Sequence, residues 1–247
     1  MKSNIRPSPA RGAAARRPRA ISPISARPSA GSCKRGSFAP SPTGLGQRPP
    51  CPATNPCALK AAEKQRSCAG GALSTVDACA LPYPDASFDA IVSQFGYMFF
   101  PENQKAMREA WRALRPNGRY ALTVWDAEQY NPWASLCLEV LKGFFPENPP
   151  QWMREPVACA AIDPIKENLL ASGFENISVS VLKRARDINA LAFAHGIVFG
   201  SPVFDEIRER GGVEPETVMQ AYAEALTRAV GRSMPMQAIM FEAQKPA

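Results

Sequence analysis

The chain has 247 residues, with 29 Lys and Arg against 22 Asp and Glu and a single histidine. That length suits one or two domains. It holds no run of about 18 apolar residues, so no membrane span is expected.

The charge is unevenly spread. Residues 1–62 carry eleven of the Lys and Arg and no acid, so all 22 acids lie in residues 63–247, which are mildly net negative. Eleven of the 25 prolines fall within residues 1–60, beside one aromatic, Phe38. Such a segment cannot bury enough apolar surface to offset chain entropy. Residues 1–70 are therefore read as a disordered, basic, Pro/Ser/Arg-rich segment, and residues 71–247 as the folded domain. The acid-free start has the composition of a mitochondrial transit peptide, but a plain tail on a cytoplasmic protein is the reading adopted. The tail lacks the interleaved aromatics of a stacking surface, so its charge is read as solvated rather than as a nucleic-acid arm.

The seven cysteines are Cys33, Cys51, Cys57, Cys68, Cys79, Cys137 and Cys159, and no two form a CxxC pair. Reduced thiols and no metal site are expected.

In chain order, residues 58–66 could form a short helix and 73–76 a stub of strand. Phe88 to Phe95 is a near-continuous apolar run that predicts a strand buried on both faces. A helix then opens at Pro101, with Met107, Ala110, Trp111 and Leu114 on one apolar face. Pro116-Asn117-Gly118 is expected to stop it. Tyr120 to Trp125 reads as the next strand, and residues 131–144 as a helix. Asp163-Pro164 looks like N-cap and N1 of another helix, with Ile165, Leu169 and Leu170 inward and Gly173 as its stop. Residues 177–182 alternate as a strand. Glu214-Pro215 starts a further helix, with Val218, Tyr222, Ala225 and Ala229 inward and Gly231 at its end. Residues 237–242 make a last strand. Strands alternating with helices predict an α/β layered fold.

Several of these residues stand together in a recognisable pattern: Asp77-Ala78, then Leu81-Pro82-Tyr83-Pro84-Asp85, Ser87-Phe88-Asp89, Ser93-Gln94-Phe95-Gly96 and Leu114-Arg115-Pro116-Asn117-Gly118. Leu170-Ala171-Ser172-Gly173-Phe174 and Met236 to Phe241 follow. Over roughly residues 75–245 the chain resembles the class I S-adenosylmethionine-dependent methyltransferases, in particular the type 11 group that includes quinone-biosynthesis C-methyltransferases. The resemblance implies a Rossmann-like α/β sheet, S-adenosyl-L-methionine as cofactor and a small-molecule methyl acceptor. It also implies a site beyond the carboxyl ends of the strands. There Asp77 would accept a hydrogen bond from the adenine amino group, with the Ala78 backbone beside it. Ser93, Gln94, Phe95 and Gly96 would border the methionine end and the acceptor, Gly96 allowing close approach.

Each residue also has a plainer reading. Asp77 could simply cap a turn, and Asp85 and Asp89 suit turn and strand entry. Trp111 and Trp125 suit the core. His195, the only imidazole, has no partner identifiable from sequence. Methyl transfer depends chiefly on alignment, so no catalytic residue is named.

The pattern breaks upstream. The family's first strand ends in a glycine-rich loop, and here the only candidate is Thr43-Gly44-Leu45-Gly46. It has no apolar strand before it, no helix after it, and no acid before Glu63, so it is read as a chance match. The sheet is therefore expected to be incomplete in its N-terminal half. The alternative reading is a truncated or frame-shifted remnant, native-like from about Val76, that binds no cofactor.

Overall fold

The computed structural model describes Ala20–Ile21 and residues 76–247. The helix expected at 58–66, most of the strand stub at 73–76, Thr43 to Gly46 and four of the cysteines lie outside the described residues. So does the segment 1–70, apart from Ala20–Ile21.

Five strands form one open sheet: β1 (Ala20–Ile21), β2 (Phe88–Gln94), β3 (Leu114–Trp125), β4 (Glu175–Asp187) and β5 (Ser233–Gln244), in the order β1-β2-β3-β5-β4. The first three run parallel, whereas β5 is antiparallel to both β3 and β4. Helix α1 (Asn103–Ala113) joins β2 to β3. Then come α2 (Pro132–Phe144), α3 (Ile162–Ala171), α4 (Ala190–Phe199), α5 (Val203–Arg210) and α6 (Pro215–Val230). The α/β fold expected from the alternation is thus observed. Among the described residues, no single helix is long and apolar enough to cross a membrane.

Two apolar clusters hold the structure. Ile91, Leu122, Val124 and Phe241 of the sheet pack with Met107 of α1 and Leu169 of α3. Leu141, Val198, Ile207, Tyr222 and Leu226 join α2, α4, α5 and α6 in a second cluster. Strand β2 is not covered on both faces as expected. Ile91 and Ser93 are buried, but Val92 is 37% exposed and Gln94 is exposed.

Helix α1 ends at Ala113, before the expected stop, and β3 starts at once, with Leu114 extended at φ −76°, ψ 143°. Pro116 disfavours helical backbone at Arg115, so the chain must leave the helix before it. Pro116 to Gly118 instead form an irregularity in β3, where the partners step from Phe88↔Leu114 to Ala90↔Arg119. A Cβ on Gly118 would lie 2.7 Å from the Arg115 carbonyl oxygen, which is why glycine stands there. The end of α1 is covered by Lys245, whose ammonium donates to Trp111 O (3.0 Å) and Leu114 O (2.8 Å).

That ammonium also sits 3.9 Å from the centre of the Trp111 ring, and Trp111 Nε1 donates to Gly173 O at 3.1 Å. Trp111 is therefore a half-buried clasp between α1, the end of α3 and the C-terminus, packed at the border of the first apolar cluster.

Three further expectations shift. Helix α3 starts at Ile162, so Asp163 and Pro164 lie inside its first turn, where the carboxylate favours the helix dipole without capping. Leu170 is 55% exposed and Ala229 is exposed, each one step off its helix's apolar stripe. Gly173 (φ +91°) and Gly231 (φ +60°) do end their helices, in the left-handed conformation that glycine tolerates.

Candidate functional site

Strands β2 and β3 are parallel and in register from Ala90↔Arg119 to Gln94↔Thr123, so both carboxyl ends open on the same side of the sheet. Ligands of open α/β sheets bind there. Immediately past β2, Phe95 N donates to Thr123 O (3.0 Å) and Thr123 Oγ1 (3.2 Å). Phe95 itself lies at φ +52°, a left-handed conformation that a bulky L-residue adopts only at a cost of about 1 kcal/mol or more. Its ring stacks on Trp125 at the end of β3, with centroids 4.2 Å apart and planes at 16°. Trp125 meets Trp133 edge-on at 5.3 Å. One turn beyond Gly96, Phe99 stacks on Trp152 at 5.9 Å, and the buried Trp152 Nε1 has no hydrogen-bond partner. An aromatic wall thus closes this end of the two strands. Trp125 is half-buried in it and packs against both apolar clusters, in keeping with its core reading.

Ser93 is fully buried, and its Oγ makes no well-formed hydrogen bond. Its polar neighbour is the phenol of Tyr120, whose pKa is pushed up by burial, with Ser93 the main opposing influence. Gln94 is exposed, and Gly96 is buried.

Asp77 and Ala78 reach the same region along another path. Asp77 Oδ1 accepts from Cys79 N at 2.8 Å, and Ala80 N donates to Asp77 O at 3.1 Å, a tight turn of the kind Asp favours. The carboxylate is exposed, while Ala78 and Cys79 are buried. Cys79 Sγ approaches Glu102 O at 3.6 Å, which sets this turn against the segment that follows β2. Burial pushes the Cys79 thiol up, so it is a packed, inert group.

From the turn, the chain runs back along α1 and is held there chiefly by Arg112 and Glu109. Arg112 donates to Leu81 O (3.0 Å), Tyr83 O (2.8 Å) and Asp85 Oδ1 (2.7 Å). It also grips both oxygens of Glu109 at 2.8 and 2.9 Å, and Glu109 accepts from Leu81 N at 2.8 Å. Arg115 pairs with Asp89 at 2.6 Å. Asp85 and Asp89 are therefore structural, in keeping with their plainer reading.

The Arg112 guanidinium holds the Glu109 carboxyl below its ordinary value near 4.5, with the Leu81 amide helping. A carboxylate with a depressed folded pKa contributes stability that is present above 4.5 and lost as pH falls through the folded pKa. Denaturant midpoints measured downward from pH 5 are expected to fall, and Glu109→Gln should flatten that slope.

A second polar knot lies just past β3. Asn131 is fully buried. Its Nδ2 donates to Asp126 O (2.9 Å) and Gln237 O (3.0 Å), while its Oδ1 accepts from Gln237 N (3.0 Å) and Trp133 Nε1 (3.3 Å). Asp126 is also covered, its carboxylate accepting from Ala127 N (2.7 Å) and Gln237 Nε2 (2.6 Å). Sequence reasoning missed this knot. The available signal was an Asn before a helix-opening Pro, which reads as an N-cap, yet its side chain makes no cap bond.

His195 stands apart, exposed on α4 and stacked on Phe199 at 4.8 Å. The remaining candidates fit a bound S-adenosylmethionine on two counts. Ser93 Oγ is an orphaned polar atom beneath the end of β2, and Asp77 keeps one oxygen free of partners among the described residues.

Residues 51–122 match the family model described as a methyltransferase domain. The match begins within the segment 1–70, upstream of where the motifs place the resemblance. Demethylmenaquinone methyltransferase of Deinococcus radiodurans is 50% identical over 46 residues, 19% of this chain and 19% of that protein. Demethylmenaquinone methyltransferase of Renibacterium salmoninarum is 33% identical over 70 residues, 28% of this chain and 30% of that one. The chain thus spans less than a third of the length of these curated relatives. Among solved structures, the YcgJ protein of Bacillus subtilis has a TM-score of 0.48 at 17% identity, covering 79% of this chain and 80% of that one.

Proposed function

We propose that this chain, which shares methyltransferase-domain sequence with demethylmenaquinone methyltransferases, transfers a methyl group from S-adenosylmethionine to a small molecule. The site is the carboxyl end of β2 and β3. Bound there, the cofactor would supply an electrophilic sulfonium methyl for transfer.

In this reading the free oxygen of Asp77 takes the adenine amino group, and the Ala78 backbone lies beside it. Ser93, Gln94, Phe95 and Gly96 border the methionine end. The aromatic wall excludes water and sets the acceptor's approach. The observation that best supports the reading is the backbone at Phe95. A left-handed bulky residue is kept at a strand end, beside an orphaned buried hydroxyl, within the sequence that matches the family.

A second reading, a chain that keeps the fold and binds no cofactor, is favoured by Asp77 spending one oxygen on its own turn. Calorimetry with S-adenosylmethionine separates the two. Binding tighter than about 100 μM, roughly 5.5 kcal/mol, is expected for the methyltransferase. No heat at millimolar ligand would leave the second reading standing.

A further inference from the structure

From Ile188 to Phe204 the chain holds no Asp, Glu, Lys or Arg, and helix α4 lies within that stretch. A helix that is apolar on every side is ordinarily enclosed by protein. Only one side of α4 is enclosed, where Ala194 and Val198 are fully buried in the second apolar cluster. The other side is open. Leu191 is 48% exposed, and Ala192, His195 and Gly196 are exposed on the same helix face. The half-buried Phe199, stacked on His195, continues that face. A Cβ on Gly196 would meet nothing within 4 Å. Contiguous apolar surface of this kind marks a contact with another protein or with a membrane.

The length of α4 says how it could meet a membrane. Its 10 residues make a rod of about 15 Å, half the roughly 30 Å of a bilayer's hydrocarbon core. Helix α5 follows at a bend of 70°, so the pair does not make a straight span. A short helix with one open apolar face suits the interface plane instead.

Charge decides between a lipid surface and a second copy of the chain. Ile188 N donates to Arg232 O at 2.8 Å, so Arg186 and Arg232, both exposed, stand where α4 begins. Arg228 lines a surface groove with Leu191. The acids beside them are Asp187 and Glu224, which leaves a small local excess of cations. The larger excess is in residues 1–62, with eleven Lys and Arg and no acid. Two copies would bring two such segments together and repel. An anionic bilayer attracts each Lys or Arg near its surface by about 1 kcal/mol. Stable membrane anchoring takes two weak signals, and an apolar helix face with a polybasic segment supplies both.

We propose that α4 docks this protein on a bilayer surface carrying anionic lipid, with Leu191, Ala192 and Gly196 turned to the acyl chains. The docking is independent of methyl transfer.

The test is flotation of the full chain with vesicles of phosphatidylcholine alone or with about 30% phosphatidylglycerol. Binding is expected to the anionic vesicles, at least about tenfold above the neutral ones, and to weaken several-fold between about 0.1 and 0.5 M salt. Hydrogen exchange on the bound protein should slow at residues 190–199. Leu191→Glu is expected to weaken binding about tenfold and leave thermal unfolding unchanged, since the position is exposed. Ala192→Glu, next to it on the same face, should give the same loss. Equal binding to both vesicles, no binding, or binding untouched by either substitution would overturn the proposal. So would protection of residues 190–199 that grows with protein concentration in the absence of vesicles, which is the mark of a second copy.

Discussion

Asn131→Ala is expected to destabilise the protein by about 3–4 kcal/mol, the largest effect of any single polar substitution considered. The reason lies in what the change leaves behind. Asn131 satisfies the carbonyls of Asp126 and Gln237 and the amide of Gln237, all at the junction of β3, β5 and α2. Removing the side chain strands the Asp126 carbonyl and the Gln237 amide where the site is fully buried, while Gln237 O keeps its bond from Asp126 N, and each unpaired group costs about 1–3 kcal/mol. Asn131→Asp separates this account from simple loss of volume. An aspartate fills the same space but presents only acceptors to the two carbonyls, so it should be at least as damaging as alanine. Urea unfolding of both variants checks the ranking. An aspartate variant as stable as the native chain would contradict it.

Arg112→Ala ranks second, at about 2–3 kcal/mol. Arg112 is the side chain that makes the most bonds between α1 and the chain that runs from the Asp77 turn to β2, through Leu81 O, Tyr83 O and Asp85. Its loss also leaves Glu109, which still accepts from Leu81 N, without its cation. Arg112→Lys should recover less than half of the loss, because an ammonium cannot reproduce the planar fork that grips Glu109 while reaching three other acceptors. Thermal unfolding of the two variants measures this. Proteolysis should find residues 81–87 the first segment exposed in Arg112→Ala.

These two residues show what the sequence did and did not reveal. The apolar stripe on α1, the strand to Trp125 and the glycine ends of α3 and α6 were all legible, because periodicity and left-handed backbone write themselves into residue type. Helices α4 and α5 were missed. Residues 190–199 carry no charged residue and no polar stripe to set a period, and the break at Gly200-Ser201-Pro202 hides the join. In the sequence Arg112 is one more charge on the polar side of a helix, and Asn131 only the edge of one. Apart from Glu109 on the same helix, the partners of Arg112 lie 27 to 31 residues away, and those of Asn131 up to 106 away, distances that no local pattern records.

The candidate site divides in the same way. Asp77 to Gly96 stood out by family pattern, and the turn, the buried Ser93 and the end of β2 do lie at one side of the sheet. The left-handed Phe95 and its stack on Trp125 needed the structure. Nothing in the residue type of Phe announces positive φ, and the two rings are 30 positions apart in the chain.

The proposed binding of S-adenosylmethionine on this side of the sheet is tested by hydrogen exchange with and without the cofactor. Added S-adenosylmethionine is expected to slow exchange at residues 77–80 and 93–97 and to leave α4 and α5 unchanged. Unchanged exchange at both segments at millimolar cofactor, or protection confined to another part of the fold, would contradict it.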